Sequence, residues 1–269
     1  MKAHPEYSNL LQFDLLEKES AIEHFTTTRT GGVSKGSFSS FNLGNFSEDD
    51  TTTIYQNRNI LARMWHKDQS DFIVPHQTHG TNVMTIDHTF LKRPPYEQDK
   101  LLYGVDALIT QEKGLFLCVT TADCVPILLY DTKNHAIATI HAGWRGTVGR
   151  IVEKTINEMI KNYHTLPHNI IGGIGPAISM KNYEIGENVK IEFSKQKFDL
   201  STTSCRKRTS SPIHIDLKEI NRLELIRLGI PENQIEKTDL CTYENSDLFF
   251  SARRQTIHCG RMLSGIMLK

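Results

Sequence analysis

The middle of the chain alternates short apolar runs with small, polar or glycine-containing breaks. Three such runs lie at residues 114–120, 126–130 and 136–140, each of strand length and rich in strand-forming residues. Residues 121–124, Thr-Ala-Asp-Cys, form the first break, and residues 131–134 have the composition of a turn. The pattern predicts three neighbouring strands whose ends bring Asp123, Cys124 and His141 together, and functional side chains often collect at such ends.

The apolar spacing changes after His141. Apolar side chains recur every three or four residues from residue 148 to residue 160, which predicts one amphipathic helix. Residues 143–147, Gly-Trp-Arg-Gly-Thr, are expected to form its first turn. Because a helix N-terminus has free backbone N–H groups and the positive end of the dipole, the pattern predicts a cradle for an anion there.

The remaining segments add strands and helices on both sides of this centre. Predicted strands lie at residues 21–28, 72–75, 81–86, 105–109, 169–174, 236–242, 247–251 and 261–268. Residues 90–103 are expected to form an excursion, a segment that leaves the sheet between two of these strands. One helix is predicted at residues 50–65, and Asp216 caps another that Gly229 and Pro231 end. The sequence has no internal repeat and no linker. It therefore predicts a single α/β domain over residues 1–269, with mixed β-sheet inside and helices outside.

The charge balance argues against several classes of partner. The chain has 31 basic and 31 acidic side chains, so its formal net charge is +0 and it offers no basic field for nucleic acid. The basic cluster Arg206-Lys207-Arg208 lies in a Ser/Thr-rich stretch and is interpreted as a solvated loop. No apolar run approaches membrane-spanning length, and the N-terminus has no signal-peptide core. Five cysteines without a pairing pattern favour free thiols in the cytoplasm.

Histidine and cysteine side chains at the predicted strand ends indicate a metal site. Catalytic zinc takes three ligands from Cys, His and carboxylates and keeps a fourth position open. Cys124, His141 and the glycine-flanked His79 form a sensible His₂Cys set, although each could instead serve in packing. His76 competes with His79, and at most one should face the site because residues three apart on an extended segment point to opposite sides. Cys118 lies inside an apolar run, which favours a buried structural thiol.

Two residues that follow His141 each allow two interpretations. Trp144 is either a wall for a planar substrate or an anchor in the core. Arg145, beside the predicted helix start, either holds phosphate or forms a surface salt bridge. Phe249 and Phe250 are expected in the core.

Several short motifs carry a resemblance to a known family. The most specific are Gln77-Thr78-His79-Gly80, Ala122-Asp123-Cys124, His141-Ala142-Gly143-Trp144-Arg145-Gly146 and Gly173-Ile174-Gly175-Pro176. On these motifs, and nearly end to end, the chain resembles the YfiH-type laccase-domain family, also called multicopper polyphenol oxidase and purine nucleoside phosphorylase. The resemblance implies a layered α/β/β/α sandwich and a zinc centre on His79, Cys124 and His141. It also implies phosphorolysis of adenosine, inosine and methylthioadenosine, with adenosine deamination alongside.

The resemblance also suggests which residues have which roles. The residues expected to bind nucleoside and phosphate are Asn42, Arg58, Gly143, Trp144 and Arg145. Asp123 is the candidate proton carrier, or else it faces away from the metal and caps a strand end. Zinc lowers the pKa of bound water, which would account for deamination, although the Cys-x-x-Cys of the usual zinc deaminases is absent.

Two other chemistries use the same residues. A His₂Cys site can bind copper, and a copper-dependent polyphenol oxidase is the first alternative. A laccase, however, builds its copper cluster from several His-x-His pairs, and none of the twelve histidines has that spacing. The second alternative is a cysteine hydrolase with Cys124 as nucleophile and His141 as base.

Overall fold

Two six-stranded mixed sheets form the centre of the protein in a computed structural model that describes residues 1–206 and 212–269. The strands are β1 (Lys2–Ala3), β2 (Leu10–Gln12), β3 (Ile22–Thr27), β4 (Phe72–Ile73), β5 (Asn82–Thr85), β6 (Val105–Thr110), β7 (Phe116–Thr121), β8 (Val125–Asp131), β9 (Ala136–Ala142), β10 (Ile170–Ile174), β11 (Glu184–Ile185), β12 (Ser204–Cys205), β13 (Ile213–Ile215), β14 (Ile235–Lys237) and β15 (Met262–Leu268). Sheet one has the order β1-β2-β3-β15-β7-β4, and sheet two has the order β14-β10-β8-β9-β6-β5. Strands β11, β13 and β12 form a small third sheet.

Helices cover the outer faces of the two large sheets. They are α1 (Thr51–Arg63), α2 (His88–Leu91), α3 (Pro95–Leu101), α4 (Trp144–Val148), α5 (Ile151–Tyr163), α6 (Glu187–Lys195), α7 (Leu217–Arg227) and α8 (Ala252–Gln255). Leu61 of α1 packs on sheet one with Phe25 and Phe116. On sheet two, α5 and α7 bury a separate cluster, and Leu117 and Leu128 pack between the sheets. The predicted α/β/β/α sandwich is therefore confirmed.

Local sequence signals explain the positions of the outer helices. The apolar stripe of α5 is buried against sheet two through Ile151, Val152, Thr155, Ile156 and Met159. The Asp216 carboxylate accepts a hydrogen bond from the Glu219 backbone N–H at 2.9 Å and so caps α7, as predicted. Gly229 follows α7 with φ +96°, a left-handed conformation that favours glycine.

The helix predicted over residues 148–160 is broken near its start. Helix α4 ends at Val148, and Arg150 adopts a left-handed φ of 62° before α5 begins. Gly149 packs so tightly that an added Cβ would lie 2.4 Å from Cγ2 of Thr81. The predicted anion cradle therefore begins a helix of five residues, too short to align many peptide dipoles.

Two segments cross from one sheet to the other. Residues 122–124 connect β7 of sheet one to β8 of sheet two, and residues 74–81 connect β4 of sheet one to β5 of sheet two. Strands β8 and β9 pair directly, with Pro126 opposite His141, as predicted. The prediction that β7 neighbours β8 is wrong, because β7 pairs with β15 and β4 instead.

Other sequence predictions differ in detail. The strand predicted at residues 247–251 is a turn before α8, and its Phe249 and Phe250 are buried as expected. The segment at residues 90–103 contains the second half of α2 and all of α3, whereas β1 and β2 were not predicted. Lys207 and Arg208 of the predicted basic loop lie outside the described residues. Across the described parts of the chain, no helix is both long and apolar enough to span a membrane.

Candidate metal centre

The two crossing segments and the end of β9 bring three metal-binding side chains together. His79 comes from the β4–β5 connection, Cys124 directly precedes β8, and His141 is the penultimate residue of strand β9. Their ligand atoms all lie within 4.8 Å of one another. Two imidazoles and one thiolate are a donor set that zinc accepts, and three protein ligands leave a fourth position for another molecule. The residues present thus fit a catalytic metal ion.

Asp106, in β6, organises two of these three side chains. Its buried carboxylate accepts hydrogen bonds from His79 N at 3.0 Å, Gly80 N at 2.7 Å and Thr78 N at 3.3 Å. It also accepts one from His141 Nδ1 at 2.8 Å. Since the ionised carboxylate can only accept, the proton of His141 is on Nδ1, and Nε2 is available to a metal ion.

The turn that carries His79 is fixed by further backbone and side-chain contacts. His79 has a left-handed φ of 61°, a conformation that non-glycine residues adopt uncommonly. The Gln77 amide binds the end of β7 by donating to Thr120 O and accepting from Thr120 N, both at 2.8 Å. Together with Asp106, Gln77 holds the turn in place, so His79 is positioned before any ion binds.

The charges of the group favour metal binding. Burial alone would raise the pKa of the Cys124 thiol, but the imidazoles of His141 and His79 outweigh burial, so the pKa is lowered. Burial alone would lower the pKa of His141, but Cys124 and Asp106 together raise it. A lowered thiol pKa favours the thiolate, which is the form of cysteine that binds metals.

A cavity of about 290 Å³ opens beside the three side chains. Its wall consists of Gly44, Phe46, Ser47, His76, Gln77, His79, Thr120, Thr121, Ala122, Cys124, His141, Ala252, Ile257 and Arg261. This volume is near the lower end of the range of small-molecule sites, which is about 300–1,000 Å³. A small organic molecule that enters the cavity would therefore lie next to the metal ligands.

Gly143 keeps the space beside the ligands open. A Cβ added there would lie 3.1 Å from Cys124 Sγ and 3.1 Å from His79 Cδ2. Its φ is −73°, so the requirement for glycine comes from close approach and not from backbone conformation. The expected involvement of Gly143 in the site thus has a steric reason.

Asp123 precedes Cys124 in the chain but faces another part of the structure. Its carboxylate accepts hydrogen bonds from Thr242 Oγ1 at 2.5 Å and from Arg253 N at 2.6 Å. It does not line the cavity. This position fits the predicted alternative, in which Asp123 faces away from the metal, and not the role of proton carrier. Asp123 has a positive φ of 90°, a conformation that non-glycine residues adopt uncommonly.

Two predicted substrate-binding residues lie behind the cavity wall. Asn42 is fully buried, where it accepts hydrogen bonds from Gly44 N and Arg261 N and donates to Ser47 Oγ. Arg58 donates from Nε and Nη2 to the Leu43 carbonyl, and burial lowers its pKa to about 10. Neither lines the cavity, so both shape the loop that forms its wall.

The aromatic and cationic residues after Gly143 also lie outside the cavity. Trp144 is partly buried and packs against the cluster beneath sheet two, which matches its alternative as a core anchor. Arg145 is exposed, and its guanidinium lies 4.4 Å from the Trp144 ring centre.

Two competing ligands are separated from the metal group. Cys118 is completely buried, and burial raises the pKa of its thiol, as expected for a structural residue. Of His76 and His79, only His79 belongs to the ligand group, as expected. Both line the cavity, because residues 74–81 do not form an extended strand, and the ring of His76 stacks on Phe46.

Sequence reasoning missed Asp106, Gln77 and Arg261. For Asp106 a signal was present, because a single carboxylate lies inside the otherwise apolar run Val-Asp-Ala-Leu-Ile. A buried acid needs partners, so its position indicated a polar network. Gln77 belongs to a motif that carries the family resemblance, but its role, like that of Arg261, depends on contacts with distant segments.

Comparisons with known proteins agree with this geometry. A family model described as multi-copper polyphenol oxidoreductase laccase matches residues 23–269. The chain is 44% identical over 259 residues to a purine nucleoside phosphorylase of Bacteroides thetaiotaomicron, covering 96% of each chain. It is 36% identical to adenosine deaminase RL5 of an unknown prokaryotic organism, covering 97% of this chain and 99% of the relative.

A solved structure supports the same relationship. The crystal structure of the hypothetical protein YfiH of Bacillus licheniformis superposes with a TM-score of 0.88 at 30% identity. The match covers 99% of this chain and 98% of that one. The chain therefore belongs to the multi-copper polyphenol oxidoreductase laccase family, together with the YfiH protein and enzymes named purine nucleoside phosphorylase and adenosine deaminase.

Proposed function

We propose that this protein is a zinc-dependent purine nucleoside enzyme. It splits adenosine, inosine and methylthioadenosine with phosphate into free base and sugar 1-phosphate, and it also deaminates adenosine. The observation that carries the proposal is the His79, Cys124 and His141 group at the wall of a cavity of about 290 Å³. The identity of 44% to a purine nucleoside phosphorylase supports the substrate class.

The chain supplies a prepared set of ligands. His79, Cys124 and His141 would hold the ion, and Asp106 keeps the proton of His141 on Nδ1. When bound, zinc supplies a Lewis acid at the fourth position of such a set. A nucleoside that enters the cavity would lie beside this ligand set.

Phosphorolysis requires an anion site as well. A phosphate oxygen forms a bond to C1′ of the sugar while the bond from C1′ to the base breaks, and the base leaves with the electron pair and then takes a proton. Arg145 is our candidate for holding the phosphate, because its exposed guanidinium is oriented by Trp144.

The role of Arg145 can be tested by substitution. Arg145→Ala is expected to raise the KM for phosphate about tenfold or more at fixed nucleoside, because a charge-assisted contact is lost. Arg254→Ala is the matched control, since Arg254 also lies over an aromatic ring, that of Tyr243, at 5.3 Å. An unchanged KM for phosphate in folded Arg145→Ala would make Arg145 structural.

The Cys124–His141 pair supports a second candidate function. In the absence of an ion, a thiol of lowered pKa beside an imidazole is also the arrangement of a cysteine hydrolase. Copper oxidase chemistry has less support, because within residues 1–206 and 212–269 a single group of three candidate ligands is found, whereas a laccase needs a cluster.

One experiment separates these functions. The protein is purified without added metal, its metal content is measured, and it is incubated with adenosine, inosine and methylthioadenosine with and without phosphate. We expect about one zinc per chain, base release that requires phosphate, and inosine formation from adenosine that does not. Stoichiometric copper would favour the oxidase, and active metal-free protein would favour the cysteine hydrolase.

A further inference from the structure

An exposed stack of aromatic rings lies at the cavity. Phe46 is 60% exposed, and its ring lies face to face with His76 at 3.6 Å and an interplanar angle of 9°. Tyr103 meets the same His76 ring edge-on at 4.7 Å. A phenylalanine with this exposure leaves much of its apolar surface in water, although His76 fixes the plane of the ring. Phe46 thus offers a preoriented flat surface beside the metal ligands.

A second exposed apolar side chain lines the same cavity. Ile257 is 71% exposed, and like Phe46 it comes from a loop and not from a strand. The two loops are bound to each other. His258 Nδ1 lies 2.7 Å from Glu48 Oε2, and Leu43 N donates to Arg261 O at 3.1 Å. Phe46 and Ile257 therefore lie on two loops that are joined to each other by hydrogen bonds.

Arg261 stabilises the second of these loops from within. Its guanidinium donates to the carbonyl oxygens of Ile257 at 3.0 Å, Cys259 at 2.6 Å and Gly260 at 3.0 Å. Its backbone N–H donates to the buried Asn42 side chain at 2.9 Å. Because its guanidinium is hydrogen-bonded to these carbonyl groups, Arg261 stabilises the conformation of the loop that carries Ile257.

We propose that Phe46 stacks on the purine base of the substrate and that Ile257 contacts the same base. This inference rests on the proposed function and assigns base recognition to a stacking surface. Every purine has a flat π-face, so stacking accepts bases that differ in their exocyclic groups. A surface of this kind therefore accepts adenine and hypoxanthine alike, and both amino- and oxopurine nucleosides are ligands.

Equilibrium binding tests the proposal without requiring turnover. Inosine, which the proposed enzyme does not turn over without phosphate, is titrated by calorimetry in phosphate-free buffer into the metal-loaded wild type and into Phe46→Ala, Phe46→Leu and Phe46→Trp, and adenosine is tested through its KM. The Kd should rise about tenfold in the Ala and Leu variants, as expected when one base–aromatic stack is lost, and should stay near the wild-type value in the Trp variant. Tyr55→Ala is the matched control, because Tyr55 is also 60% exposed but lies on α1, away from this cavity.

Fluorescence and kinetics supply readouts that a merely structural residue would not change. In Phe46→Trp, inosine should quench the emission of the added indole, measured as the difference from the wild type, which already contains Trp65 and Trp144. In Phe46→Ala, the KM for nucleoside should rise while the KM for phosphate is unchanged. Unchanged nucleoside binding in Phe46→Ala, or full retention in Phe46→Leu, overturns this inference alone. No binding of either nucleoside by the wild type overturns the proposed function together with it.

Discussion

The carboxylate of Asp106 is the most informative group to change. Each of its oxygens accepts two hydrogen bonds: Oδ1 from His79 N and His141 Nδ1, and Oδ2 from Thr78 N and Gly80 N. Asp106→Asn preserves the size of the side chain but replaces one of these oxygens with an NH₂ donor. Whichever way the amide turns, two of the four donors then face another donor.

The size of the effect follows from these contacts. A buried donor without an acceptor costs about 1–3 kcal/mol, so two of them destabilise the fold by about 2–6 kcal/mol. The orientation of His141 is also lost in one of the two amide positions. Loss of such a partner of a metal-bound histidine typically lowers metal affinity about 10–100-fold. We therefore expect both effects in Asp106→Asn.

Two measurements and one control test this prediction. Urea denaturation of the metal-free protein gives the stability, and competition with a zinc chelator gives the affinity. Asp131→Asn is the control, because Asp131 is also fully buried and accepts from Lys133 N and Asn134 N, but lies at the opposite end of β8. Its zinc affinity should equal that of the wild type. Wild-type zinc affinity in Asp106→Asn would refute the argument that Asp106 orients the ligands.

Three further predictions follow from the same structure. Cys124→Ala should abolish zinc binding and both nucleoside activities, whereas Cys118→Ala should keep zinc and activity and lose about 1 kcal/mol of stability or more. Elemental analysis and thermal melts of both variants measure these effects. Full zinc content in Cys124→Ala would contradict the metal assignment. Gly143→Ala should weaken zinc binding with little change in melting temperature, because its Cβ would enter the space beside two ligands, and an unchanged zinc affinity would show that this space is not needed. His24 accepts a hydrogen bond from Phe13 N at 2.8 Å, and burial lowers its pKa to about 3, so its imidazole is uncharged in the folded state. Stability should therefore be full above about pH 6.5 and fall as the pH drops toward 3, because the unfolded chain takes up the proton first. His24→Gln should flatten this slope in urea melts across that range, and an unaltered slope would assign the acid sensitivity to other groups.

The sequence was sufficient for the elements whose signal is local. The apolar runs of β8 and β9, the cap at Asp216 and the glycine after α7 all lie where the pattern predicts them. The metal group was predictable because Cys124 and His141 lie at paired ends of adjacent strands. In each case the residues concerned are close in the chain or joined by one turn, except for His79, which comes from the distant β4–β5 connection.

Other features depend on contacts that no local pattern encodes. An apolar run predicts a strand but not its partner, so the separation of β7 and β8 into different sheets was missed. The break before α5 depends on the close packing of Gly149 against Thr81, which is 68 positions away in the chain. Arg58 and Asn42 carry the polar groups of a binding site, yet both satisfy buried backbone groups of the loop at residues 42–47.

The two crossings between the sheets make the metal centre a cross-link. His79 and Cys124 each lie on a segment that leaves sheet one and enters sheet two, so an ion bound by both would tie the two sheets together at the ends of their strands. A ligand that binds the folded state alone stabilises it by about 2.7 kcal/mol at a hundredfold excess over its Kd. Metal supply would thereby set how long the protein survives proteolysis. Metal-starved molecules would open first at these strand ends, and faster amide hydrogen exchange of residues 121–125 would reveal the opening.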